Sequence, residues 1–236
     1  MTSVVISQPL YFSWPGFIDQ LSRADILIWL DDAQFSKGSF VNRNRVICDE
    51  SLRWITVPLA GKGAFQPIRA LSAKNPEWRL AHSAIIKRAY DKTPYFDQVE
   101  AIFAGAISAT AVHEVAARSS MLVLSAIGQL PGEVLYSSQM GIGGRSSERV
   151  LELVKSVGGT SYITGHGAAN YLDHESFERS GVEVSYMQYS FKPWRDSPWA
   201  DTFDISYLDL LAHRGSSNFA DHLLGRQIYW REFINA

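Results

Sequence analysis

Two short runs carry most of the side chains that could do chemistry. Asp31-Asp32-Ala33-Gln34, followed by Lys37, gathers carboxylates, an amide and an ammonium group, and Asn42-Arg43-Asn44-Arg45 alternates amides with guanidiniums. On a strand, that alternation puts Asn42 and Asn44 on one face and Arg43 and Arg45 on the other. Two guanidiniums on one face suit a phosphate or carboxylate, although a solvated hairpin face has the same pattern. Asp31 and Asp32 at a strand end should point opposite ways, so only one faces a given pocket and a matched acid and base pair is not expected. One of them, with Gln34 and a nucleotide phosphate, could hold magnesium, which takes few protein ligands. No metal site built from protein residues alone is expected. His82 and His166 are the candidate general bases, with Asp32 as a third catalytic candidate. His82 shares an i, i+4 stripe with Trp78, Ile86 and Tyr90, which also fits a core histidine. His166 lies between Gly165 and Gly167, where a ligand could approach the backbone. Cys48 ends the strand-like run Arg45-Val46-Ile47 and reads as a buried structural thiol rather than a nucleophile.

The elements that must position these groups start at the N-terminus. Val4-Val5-Ile6, the loop Gln8 to Gly16, a helical segment reaching Asp25 and the run Ile26 to Leu30 outline a β-α-β unit with buried strands. Ligands of open α/β sheets bind beyond the carboxyl ends of the strands, so Gln8 to Gly16 and Asp31 to Arg45 form two arms around one candidate site. Within the first arm, Gln8, Tyr11 and Trp14 are candidate substrate contacts, and Phe12, Trp14 and Phe17 can equally cover the sheet. Arg43 to Ile47 and Arg53 to Leu59 flank Asp49-Glu50-Ser51 as a hairpin. Gly61 to Ala64 is a loop without Walker spacing. Asn75-Pro76-Glu77 signals a helix with Asn75 as N-cap, and further helices are predicted from Pro94 and over Thr110 to Gln129. Gly143-Gly144 precedes a helix over Glu148 to Val157, capped by Ser146 or Ser147, whose free amides could admit an anion. Ser161 to Thr164 reads as a strand, Asp173 to Ser180 as a helix and Val182 to Met187 as a strand. The aromatic loop holding Lys192-Pro193-Trp194 and Ser197-Pro198-Trp199 either stacks on a sugar or base or packs internally. Amphipathic helices are predicted over Ile205 to His213, capped by Gly215, and over Ser217 to Ile228.

Composition narrows the classes. The chain has 236 residues, 46% of them hydrophobic, and a formal net charge of −2, which suits one α/β domain over 1–236 and disfavours both disorder and general nucleic-acid binding. Its single cysteine rules out an intrachain disulfide and a cysteine-rich zinc site. With no signal-peptide pattern and no apolar run approaching the ~20 residues of a membrane span, a cytoplasmic protein that does not engage the membrane is expected.

The motifs Gln8-Pro9-x-Tyr11-x-x-Trp14-x-Gly16, Asp31-Asp32-x-Gln34-Phe35-x-Lys37, Asn42-Arg43-Asn44-Arg45 and Trp54-Ile55-Thr56-Val57-Pro58, in this order, resemble the WbqC-like family. Tyr162 to Gly165 with Tyr171-Leu172, and Ile205 to Leu211, are similar to its C-terminal pattern. The chain departs from that pattern at Ser7, where the family usually has His, and at Ser13, where it usually has Pro. The resemblance implies a place in bacterial O-antigen or other surface-polysaccharide biosynthesis, and names a pathway more firmly than a reaction. The strand, glycine loop, helix and Asp-begun strand also resemble the first unit of adenylyl-transferring α/β enzymes, without their paired histidines. Together these lead to a Rossmann-like α/β fold with a mainly parallel central sheet flanked by helices and an added β-hairpin. The expected activity is a transferase or ligase moving an activated acyl or aminoacyl group from a phosphate-bearing donor, such as a nucleotide with magnesium, to a sugar or amine acceptor. The alternative is a non-catalytic binding or scaffold subunit of the same pathway. A homodimer is compatible with either.

Overall fold

The computed structural model describes residues 1–63, 65–196 and 198–235. Ala64 of the Gly61 to Ala64 loop and Ser197 of the second aromatic triplet lie outside the described residues.

The first strand, β1 (Ser3–Ser7), leads through α1 (Pro15–Leu21) to β2 (Ile26–Trp29), which pairs parallel to it. The hairpin β3 (Arg43–Cys48) and β4 (Ser51–Thr56) follows, then α2 (Trp78–Tyr90), α3 (Phe96–Ile107) and α4 (Val112–Ala126). The chain returns to the sheet as β5 (Glu133–Tyr136), parallel to β2, and crosses through α5 (Ser146–Ser156) to β6 (Ser161–Thr164) on the other side of β1. After α6 (His174–Arg179), β7 (Glu183–Gln188) extends the parallel run; α7 (Leu208–Phe219), β8 (Arg226–Tyr229) and α8 (Trp230–Ile234) complete the fold. The sheet order is β5-β2-β1-β6-β7-β8, with β8 alone antiparallel, and β3-β4 form a separate two-stranded sheet.

Alternation along buried strands builds two cores. Val5, Leu27 and Trp29 face α1, α2, α3, α4 and α7, whereas Val4, Ile6, Ile26 and Ile28 face α5, α6 and α8. The crossover direction reverses between β1 and β6, so the switch point of this open sheet lies at the carboxyl end of β1.

The α2 stripe is buried as its spacing predicts, at Trp78, His82, Ile86 and Tyr90. Elsewhere local structure differs from the sequence reading. The hairpin turns on Asp49-Glu50, both with positive φ (53° and 56°), a two-residue turn whose twist matches the strands. Asn75 does not cap α2, because Pro76 and Glu77 form a lead-in turn whose carbonyls accept from Arg79 and Ala81. Neither Ser146 nor Ser147 caps α5: Ser146 takes φ 55°, and the Ser147 hydroxyl instead accepts the Asp173 amide ahead of α6. The last predicted helix stops at α7 and a short turn, and Arg226–Tyr229 pairs with the open edge of β7, where main-chain bonds outweigh a short helical pattern. At Gly215 the chain takes φ 67°, and the Tyr95 ring lies 2.7 Å from where a Cβ would stand. Among the described residues no helix is long and apolar enough to cross a membrane.

Candidate functional site

A cleft of about 520 Å³ opens at the switch point, lined by Gln8 after β1, Asp32 and Gln34 after β2, Arg145 and Arg149 at the start of α5, and Tyr171 beyond β6. Gly144 and Ser146 line it beside the α5 N-terminus, whose partial positive charge favours anions. As expected, only one of the two aspartates, Asp32, lines the cleft; both lie in the turn that follows Trp29, the last residue of β2. Asp31 is buried and accepts from the Ser138 amide at 3.0 Å and the Ser138 hydroxyl at 2.6 Å. The Ser137 hydroxyl lies 3.3 Å from Asp31 and 2.6 Å from Asp32, so its one hydrogen serves Asp32. Arg149 donates to Asp32 at 2.5 Å and to the Ile142 carbonyl at 3.1 Å. Burial pushes the Asp32 carboxyl up, but hydrogen bonds from Arg149 and Ser137 outweigh it and hold Asp32 below the ordinary carboxylate range. Among the described residues no cluster of three His, Cys, Asp or Glu side chains could hold a metal ion.

The other expected site residues fall elsewhere. Tyr11 is fully buried, and its hydroxyl donates to His82 Nδ1 at 2.8 Å. A further hydrogen bond joins His82 to the Thr56 backbone, a pairing that fits the tautomer with the proton on Nε2. Burial drives the His82 pKa down to about 4, so this imidazole is neutral near pH 7. The expectation of a general base with an unshifted pKa is therefore corrected. His166 is exposed in the turn after β6, its Nε2 is 2.7 Å from the Met187 carbonyl, and its ring lies near Tyr189 and Phe233; it does not line the cleft, where Tyr171 is the residue contributed from beyond β6.

Asn42 is buried and donates across the hairpin base to the Val57 carbonyl. Arg43 and Arg45 share the outer hairpin face as predicted, but they stack on Trp54 at 4.4 and 5.5 Å. Arg43 also donates to the Gly38 carbonyl, and Arg45 pairs with Asp204. Lys37 is exposed and does not line the cleft.

The first arm is held by a strained residue. Phe12 adopts φ 39°, costly for an aromatic residue, and Ser119 accepts from its amide while Asn44 donates to its carbonyl at 2.6 Å. This kink turns Ser13 and Trp14 toward a second, smaller pocket formed with Leu10, Phe40 and Asn44. The two arms thus enclose two pockets rather than one.

Sequence reasoning missed Arg145, Arg149, Ser137 and Ser138. The anion-binding reading of the Gly143-Gly144 turn is the one local signal for Arg145 and Arg149, and the placement of α5 that gives them meaning is long-range; the serines follow the short apolar run Val134 to Tyr136. His113 lies within the helix predicted over Thr110 to Gln129; burial lowers its pKa while Glu114 and Asp31 act on it electrostatically in the opposite direction.

No solved structure matches the chain. The uncharacterized protein Rv1507c of Mycobacterium tuberculosis is 28% identical over 221 residues, covering 92% of this chain and 95% of that protein. The model of the WbqC-like protein family matches residues 8–220, and the chain belongs to that family.

Proposed function

We propose that the cleft binds a phosphate-bearing activated donor, and that the protein transfers an acyl or aminoacyl group from it to an amine or sugar acceptor in surface-polysaccharide or specialised-metabolite biosynthesis. The observation that carries this reading is the meeting of Gln8, Asp32, Gln34, Arg145 and Arg149 at the carboxyl ends of β1 and β2, in front of the α5 N-terminus. Arg145 and Arg149 replace Arg43 and Arg45 as the anion anchors. Arg149 has no hydrogen bond from Nη1 among the described residues, which leaves a donor directed by its Asp32 pairing. Tyr171 supplies an aromatic wall. A magnesium ion arriving with a nucleotide would meet Asp32 and Gln34.

In the reaction the acceptor nitrogen or oxygen attacks the activated carbonyl carbon, a C–N or C–O bond forms, and the bond to the phosphate or thiolate breaks with its electron pair. Among the described residues no histidine lines the cleft, and Asp32 is held ionised by Arg149, which makes it a group that orients the donor rather than a strong base. The acceptor proton then goes to the departing group. A melting-temperature screen with nucleotides, nucleotide-sugars and acyl-CoA compounds tests this, since a ligand of the native state stabilises it by mass action. At least one class should raise the melting temperature; no shift with any contradicts the reading.

A cleft lining without histidine favours a second reading, a non-catalytic subunit that uses the cleft to hold a ligand or partner. It predicts ligand binding or partner capture without turnover of any donor that binds.

A further inference from the structure

The second pocket has a chemistry of its own. It measures about 210 Å³ and is more enclosed than the cleft, with Leu10 and Trp14 as walls, Phe40 and Asp204 at the rim, and Ser13 and Asn44 below. At that size it admits a single ring, below the ~300–1,000 Å³ of sites for larger ligands. Its walls are apolar, but its base is not. Ser13 is 1% exposed, and among the described residues its Oγ has no hydrogen-bond partner. A buried hydroxyl left unpaired is costly, and such groups are normally satisfied. Asn44 spends one amide hydrogen on the Phe12 carbonyl and its oxygen on the Arg45 amide, which leaves the second amide hydrogen. Asp204 is exposed and its charge is balanced by Arg45, so the rim offers hydroxyl acceptors without a net pull on a cation.

Aromatic walls that take C–H faces, a buried hydroxyl at the base and a charge-balanced carboxylate at the rim together describe a recognition surface for a neutral polyhydroxylated ring. We propose that this pocket binds one pyranose ring, with a ring hydroxyl on Ser13 Oγ, C–H faces against Trp14 and Phe40, and a second hydroxyl on Asp204. The ring's role as acceptor rests on the transferase reading above; its binding here does not. Trp14 is positioned for this by Gly16, where a Cβ would stand 2.5 Å from the indole.

The test is a saturation-transfer NMR titration with methyl α-D-glucopyranoside, and with cyclohexanol and acetate as comparators. The glycoside should bind saturably and more tightly than either comparator. Ser13→Ala should weaken it about fivefold, one hydrogen bond's worth, while leaving the free protein's melting temperature unchanged or raised. Asp204→Asn should weaken it about threefold, as expected of an exposed charged contact. The proposal is overturned if the glycoside does not saturate, if cyclohexanol or acetate binds as tightly, or if Ser13→Ala binds it like the wild type. Nucleotide-induced melting shifts, read in the same samples, separate the two claims. A shift without glycoside binding refutes the pocket alone; glycoside binding without any donor shift refutes the transferase reading and keeps the pocket.

Discussion

The same two arms, Gln8 to Gly16 and Asp31 to Arg45, build one region that is open to ligands and one that is closed to them. In the cleft, Asp32 and Arg149 are paired yet partly exposed, at 22% and 15% of their side-chain surface. A few residues along the first arm, Tyr11 and its partner His82 are equally polar but buried and fully satisfied by each other and Thr56. Residue type does not separate the two cases. What separates them is whether the hydrogen-bonding capacity is used up inside the fold or partly left for a ligand.

The largest expected effect lies in the closed region. The His82 imidazole takes its proton near pH 6.5 when unfolded and near pH 4 when folded. Below pH 6.5 the unfolded chain therefore binds the extra proton, and stability that is fully present above that pH falls as the pH drops toward 4. The loss over that window is about 3 kcal/mol, and denaturant titrations at pH 7.5, 5.5 and 4.5 measure it. Replacement of His82 by Gln should flatten that dependence. A dependence equal to wild type would mean that other groups set it.

Tyr11→Phe sharpens the contrast, because it leaves Nδ1 of His82 without a donor. It should lower stability by about 1–3 kcal/mol while leaving donor binding unchanged. Loss of binding in a variant that stays folded would move Tyr11 out of the closed region.

Arg149→Ala should behave in the opposite way. The lost charge-assisted contact should weaken the donor by about tenfold to a hundredfold, against a modest drop in melting temperature. Smallest of all, Arg43→Ala removes a stacking contact on half-exposed Trp54 and should cost about 0.5–1 kcal/mol of stability with no change in donor affinity. An affinity loss there would restore the hairpin arginines as anion anchors.

The parts of the fold written in sequence are those where one local pattern dominates. The runs Val4 to Ile6, Ile26 to Leu30 and Ser161 to Thr164 became parallel neighbours, and the 3.6-residue spacing of Trp78, His82, Ile86 and Tyr90 became a buried helix face. The alternation of Asn42 to Arg45 gave the correct faces of β3, but not what the faces meet: Trp54 arrives from the partner strand and Asp204 from far along the chain. For Asp31 and Asp32 the expectation that only one faces the pocket holds, although β2 stops at Trp29 and a turn, rather than the strand, sets them apart. Arg226–Tyr229 has no strong strand pattern of its own and is recruited as β8 by the open edge of β7. Arg149 was missed because its meaning depends on α5 being brought to the switch point, a long-range consequence of the order β2-β1-β6.

The most direct test of the central claim is isothermal titration of a stabilising donor-class compound into wild type, Arg149→Ala and Arg43→Ala protein. If the cleft is the donor site, wild type and Arg43→Ala bind alike and Arg149→Ala binds at least about tenfold more weakly. Equal binding by Arg149→Ala, or loss in Arg43→Ala, would contradict it.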